Sequence, residues 1–125
     1  IEHLDSSKSA FAKDISLLPP PNISVGSTVP GVEVIKEFNE WCNSQQITLL
    51  ISYPAYPDTH FQYIHDFSSM INMLLTQNDL AVISKPEKYK MPAASFFDTL
   101  YHLNEIGRLE RTKRLLEDIK IFFGY

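Results

Sequence analysis

Cysteine is nearly absent: Cys42 is the only one in 125 residues. That excludes an intramolecular disulfide and any cysteine-based zinc cage. No apolar run approaches the roughly 20 residues that a bilayer crossing requires, so no membrane span is expected. Excess basic charge is missing too, since 11 Lys and Arg stand against 15 Asp and Glu for a net charge of −4. Phosphate neutralisation needs a basic face, so bulk charge does not point to nucleic acid as a partner. The opening residues, Ile1-Glu2-His3-Leu4-Asp5, have neither a starting Met nor the basic-then-apolar pattern of a signal peptide. No internal repeat or low-complexity tract is present. With 44% hydrophobic and 21% charged residues, the composition is that of a globular chain, and the expectation is a small soluble domain or a piece of a larger one.

Residues 1–29 lack a sustained period. Pro19-Pro20-Pro21 forces extended backbone, and Asn22 to Pro30 is rich in Ser, Gly, Val and Pro, which predicts a long irregular segment. Such a loop is unusual inside a compact domain; it either wraps the surface or belongs with something outside this sequence. Residues 30–125 are patterned. A helix is predicted from Pro30, with Val32, Ile35, Phe38, Trp41 and Cys42 at helical spacing. Ile47 to Tyr53 reads as a strand covered on both faces, ended by Pro54 and Pro57. A second helix is predicted from about Asp58, with an apolar stripe of Ile64, Phe67, Met70, Ile71, Leu74 and Leu75. Leu80 to Ser84 reads as a second buried strand, and Lys85 to Phe97 as a loop. The last helix is predicted over Asn104 to Phe123, with Asn104 as N-cap and Ile106, Leu109, Leu116, Ile119 and Phe123 as its apolar face. Glu110 and Arg114 are spaced as a supportive ion pair. This order of elements predicts an α/β fold with a parallel sheet of about two or three strands and three flanking helices. A strand as apolar as Ile47 to Tyr53 calls for more sheet neighbours than this chain offers, so the expectation is the back half of an α/β domain.

Chemistry concentrates in Phe96-Phe97-Asp98-Thr99-Leu100-Tyr101-His102-Leu103-Asn104-Glu105-Ile106-Gly107-Arg108. A carboxylate four residues before a histidine can fold back across a turn and accept the imidazole Nδ1–H. This fixes the tautomer and leaves Nε2 free to take a proton from a nucleophile. The same spacing also suits a capping arrangement beside a surface histidine, and spacing alone leaves both open.

Asp-Thr-x-Tyr-His-Leu-Asn-x-x-Gly-Arg-x-x-Arg-Thr, over residues 98–112, resembles the C-terminal block of the SGNH (GDSL-like) hydrolase and acyltransferase superfamily. The order of the strand ending Ile51-Ser52-Tyr53-Pro54, the helix after it and the strand Leu80 to Ser84 is similar to that family's from about residue 30 to 123. The resemblance implies a flavodoxin-like parallel sheet, His102 as general base and Asp98 as its orienting partner, with no cofactor and no metal. It also implies an O-acyl ester of a carbohydrate or lipid as substrate, and a bacterial cell-envelope setting. The sequence departs from the family in spacing, with three residues between Asp98 and His102 where the family has two. It also lacks the Gly-Asp-Ser block that supplies the serine and the Gly and Asn blocks that supply oxyanion donors.

No other residue replaces these blocks. Ser27 follows a glycine but has no strand before it or helix directly behind it, so it lacks a nucleophile elbow. Cys42 lies on the apolar stripe of the first helix and reads as packing. His60 and His65 are five apart and, with Asp58 and Asp66, complete no ligand spacing. Arg108, Arg111, Lys113 and Arg114 interleave with Glu105, Glu110, Glu117 and Asp118 as a solvated helix face. Tyr53, Tyr56 and Tyr101 fall at strand or loop ends, where they either line an acyl or sugar pocket or are simply half-buried. Asn22-Ile23-Ser24 fits a glycosylation acceptor, a pattern common by chance.

The leading expectation is therefore the C-terminal portion of an SGNH-like serine esterase or acyltransferase, inactive without the rest of its domain. The alternative is a non-catalytic interaction module that retains the α/β scaffold. Self-association through an open sheet edge is a further expectation.

Overall fold

The computed structural model describes residues 14–22 and 30–125. Ser27, and Ile23 and Ser24 of the acceptor pattern, lie outside the described residues. Helix α1 (Pro30–Ser44) begins at the proline, whose missing N–H costs nothing in a first turn. Helix α2 (His65–Gln77) starts seven residues after Asp58. The Asp58 N–H is engaged elsewhere, donating to Met91 O at 2.8 Å, and a 3-10 turn over Phe61–Tyr63 follows. Helix α3 (Glu105–Phe123) has the expected cap: the Asn104 side chain accepts the Gly107 N–H.

The fold is mixed α/β, with parallel pairing, but its sheet is much smaller than expected. Strands β1 (Tyr56–Pro57) and β2 (Lys90–Met91) pair in parallel. The strands expected at Ile47–Tyr53 and Leu80–Ser84 are reduced to one parallel bridge, Ile51 opposite Val82. Its bonds run from Ile51 N–H to Ala81 O (2.9 Å) and from Ile83 N–H to Ile51 O (3.0 Å). Nor is the first segment covered on both faces, because Ile47 and Thr48 are exposed. An extended segment with one neighbour, touched at one point, cannot build the ladder that its β-rich composition favours.

Two apolar clusters hold the elements together. Ile15, Ala55, Tyr56, Phe61, Met91, Phe96 and Leu100 form one, and Val32, Tyr53, Leu75, Leu80 and Tyr89 form the other. Ile15, from a 3-10 turn ahead of α1, is 1% exposed, so part of the Pro-rich leading segment belongs to the core. On α1, Val32 and Cys42 are buried, whereas Phe38 and Trp41 are half exposed and stack on each other.

The largest departure is α3. Its predicted apolar face points outward: Ile106, Leu109, Leu116 and Phe123 are all more than half exposed. The helix docks instead through Gly107, Arg111, Arg114 and Asp118, four residues at helical spacing. Asp118 is 4% exposed and accepts hydrogen bonds from Lys88 Nζ and from Tyr89 Oη, the latter at 2.5 Å. Arg114 donates to the carbonyls of Lys88 and Lys90 and pairs with Glu110 at 2.9 Å, as its spacing predicts. The solvated charge run is thus partly an internal fastener. Among the described residues, no helix is long and apolar enough to cross a membrane.

Candidate active site

The loop carrying Asp98 and His102 is closed at its base. Phe96 and Leu103 form an antiparallel bridge, and the Phe97 N–H donates to His102 O at 2.8 Å. Buried Phe96 and Leu100 root the loop in the first core cluster. Below it, α3 comes within close packing distance at Gly107. A Cβ there would collide with Ser95 O and lie 2.8 Å from Leu103 Cδ2. The Asn104 side chain adds a donor to Ala94 O at 2.6 Å, while its backbone N–H reaches Ser95 O at 2.9 Å. Sequence therefore fixes the loop from two sides, through an apolar anchor and a capped, glycine-admitting helix start.

Within the loop, His102 Nδ1 and Asp98 Oδ1 are 2.8 Å apart. The longer spacing does not prevent the contact. The carboxylate accepts the Nδ1–H, so Nε2 keeps its lone pair. Both side chains are part-exposed, His102 at 58% and Asp98 at 40%, and Phe97 meets the imidazole edge-on at 5.4 Å between ring centres. Among the described residues, Asp98 is the only side chain hydrogen-bonded to His102, and no hydroxyl or thiol is set against Nε2.

His60 shows the contrasting case. It is buried, with Nε2 2.7 Å from Leu18 O and Nδ1 2.9 Å from Thr59 Oγ1. A carbonyl can only accept, so Nε2 carries the proton and Nδ1 accepts from threonine; both nitrogens are occupied. His65 is exposed beside Asp66 and Glu87. Among the described residues no group of three or more potential metal ligands converges. Cys42 is buried, in keeping with packing.

Tyr53, Tyr56 and Tyr101 come together. With Pro54, Phe61, Ile64, Phe67, Ser68, Ile71 and Pro86 they line a cavity of about 300 Å³. Tyr101, next in sequence to His102, meets Tyr56 edge-on at 5.7 Å. Burial, then the charge of Glu87, pushes the Tyr53 phenol up to about 12, and burial raises that of Tyr56 as well, so both stay protonated. Arg111, expected on a solvated helix face, donates from Nη2 to Tyr53 O at 3.0 Å and lies over the Tyr89 ring. It secures the chain at the cavity's edge. Sequence reading missed the packing role of Gly107 and anticipated the cavity only in part, through its three tyrosines. A glycine inside a helical pattern signals close approach; Ile64, Phe67 and Ile71 of the lining read only as the apolar stripe of the second helix. Compared with family models, curated proteins and solved structures, the chain matches none.

Proposed function

We propose that this chain carries the base half of an SGNH-type serine esterase or O-acyltransferase site, within a flavodoxin-like domain whose serine and oxyanion donors lie in other sequence. The observation that carries the reading is the Asp98–His102 hydrogen bond, with Nε2 unengaged among the described residues on a part-exposed ring. In the assembled site, His102 Nε2 takes the serine proton as the serine Oγ attacks the ester carbonyl. The same proton then passes to the departing alkoxide, leaving an acyl-serine. Water or an acceptor hydroxyl next gives its proton to His102 while attacking the acyl-serine, and that proton returns to the serine as the acid or new ester leaves. Asp98 holds the imidazolium throughout.

The test has two arms. The isolated chain should not turn over a simple acetyl ester; robust turnover abolished by His102→Ala would sink the reading. Nitrogen-15 spectra should show the Nδ1–H tautomer of His102, with its population falling in Asp98→Ala. An unchanged tautomer would remove the role given to Asp98. A second reading, a non-catalytic interaction module, is favoured by the outward apolar residues of α3. The encoded protein separates the two: a Gly-Asp-Ser strand end elsewhere in it supports the enzyme, and its absence supports the module.

A further inference from the structure

The cavity sits where the parallel segments end. Tyr53, Pro54 and Tyr56 follow the Ile51 bridge, Pro86 follows the Val82 bridge, and Tyr101 comes from the His102 loop. The carboxyl ends of parallel strands are where ligands of open α/β sheets bind. Its wall is almost wholly apolar, and two of its few polar side chains are already bonded. Tyr53 Oη donates to Asn72 Oδ1 at 2.8 Å and Ser68 Oγ donates to His65 O at 3.0 Å. Tyr56 Oη is buried and has no partner. The hydroxyls of Tyr56 and of the exposed Tyr101 are therefore all that the wall could offer a polar ligand. A sugar buried here would lose most of its water hydrogen bonds without replacement, each an unfavourable exchange. A hydrocarbon chain loses nothing of the kind.

We infer that this cavity holds the aliphatic acyl chain of the substrate ester, so that the substrate class is a medium-chain acyl ester and the sugar, where one is present, stays outside. This rests on the ester-cleaving reading of His102. At the ~30 Å³ that a water-sized group occupies, about 300 Å³ accommodates roughly ten carbons. The probe is a series of carboxylates from acetate to decanoate, each below its micelle concentration, titrated into the labelled chain and followed by amide shifts. Saturable shifts are expected at Tyr53, Phe61, Ile64, Ile71 and Tyr101, with affinity rising up to about fourfold per methylene and levelling off near ten carbons. Ile71→Trp should fill the cavity and weaken decanoate at least tenfold; if that variant does not fold, the wild-type chain-length profile decides alone. An affinity flat with length, or shifts confined to the outward face of α3, would overturn the inference. Methyl glucoside shifting the same amides as strongly as decanoate would also overturn it. Because binding is read without turnover, such a failure leaves the His102–Asp98 reading standing, and failure of that reading leaves the binding data untouched.

Discussion

Replacing Gly107 with alanine sets two effects against each other. Glycine inside a helix costs about 1 kcal/mol relative to alanine, so local propensity predicts stabilisation. The packing predicts the reverse. The new methyl would collide with Ser95 O and press on Leu103 Cδ2 at 2.8 Å. Ser95 O cannot turn aside, because it accepts the Asn104 N–H at 2.9 Å beside the helix cap. Overpacking of this kind costs about 1–3 kcal/mol, and disturbing the Asn104 bonds adds about 1 kcal/mol. The net expectation is a loss of about 2 kcal/mol, a fall in Tm of very roughly 8 °C for a domain of this size. Thermal and urea melts followed by circular dichroism measure it. Gly31→Ala is the control: it lies in α1 with nothing within 4 Å of the added Cβ, so it should be neutral or stabilising by less than about 1 kcal/mol. If Gly107→Ala proves at least as stable as wild type, the close docking of α3 beneath the Asp98–His102 loop is refuted.

Asp118→Ala should cost about 3 kcal/mol, because it strands the buried Tyr89 hydroxyl and unpairs the half-buried Lys88; a loss below about 1 kcal/mol would show the network to be ornamental. Burial pushes the Asp118 carboxyl up, but hydrogen bonds from Lys88 and Tyr89 together outweigh it and hold the group below its ordinary 3.8. Its contribution is therefore present above that value and lost as pH falls through the lower folded one. Lys88, raised chiefly by its bond to Asp118, and Tyr89, raised chiefly by burial, act at the other end: their contributions hold below their ordinary 10.5 and 10.0 and fade as pH rises beyond them. Denaturation midpoints across pH should thus fall at both extremes in wild type and more shallowly in Asp118→Asn. Arg111→Lys should cost about 1 kcal/mol, since lysine cannot both reach Tyr53 O and stack on Tyr89. Unchanged melts and unchanged Tyr53 amide shifts would contradict that.

Much of the candidate site was legible. The acid and histidine were readable from residue type and spacing, and the helix behind them from Asn104 as cap. The three tyrosines were readable as pocket-lining or half-buried aromatics, with both left open, since nothing in their spacing of 3 and 45 residues says that they share one wall. The α3 face was misread for a physical reason. Periodicity identifies the apolar stripe of a helix, yet which stripe is covered depends on what the rest of the fold offers it. Here the neighbouring surface offers the Tyr89 hydroxyl, the Lys88 ammonium and three backbone carbonyls, which suit Asp118, Arg111 and Arg114 rather than Leu109 or Leu116.

The sequence by itself determined the scarcity of cysteine and basic charge, the three helices, the parallel sense of the pairing and the place of Asp98 and His102 ahead of the last helix. These follow from local propensity, composition and connection length, which act over a few residues. Tertiary structure decided that Asp98 reaches His102 across the longer spacing and that both nitrogens of His60 are consumed. It also shrank the two expected strands to a bridge and turned α3 polar side inward. Each of these depends on partners brought together from distant parts of the chain, and no local pattern encodes them.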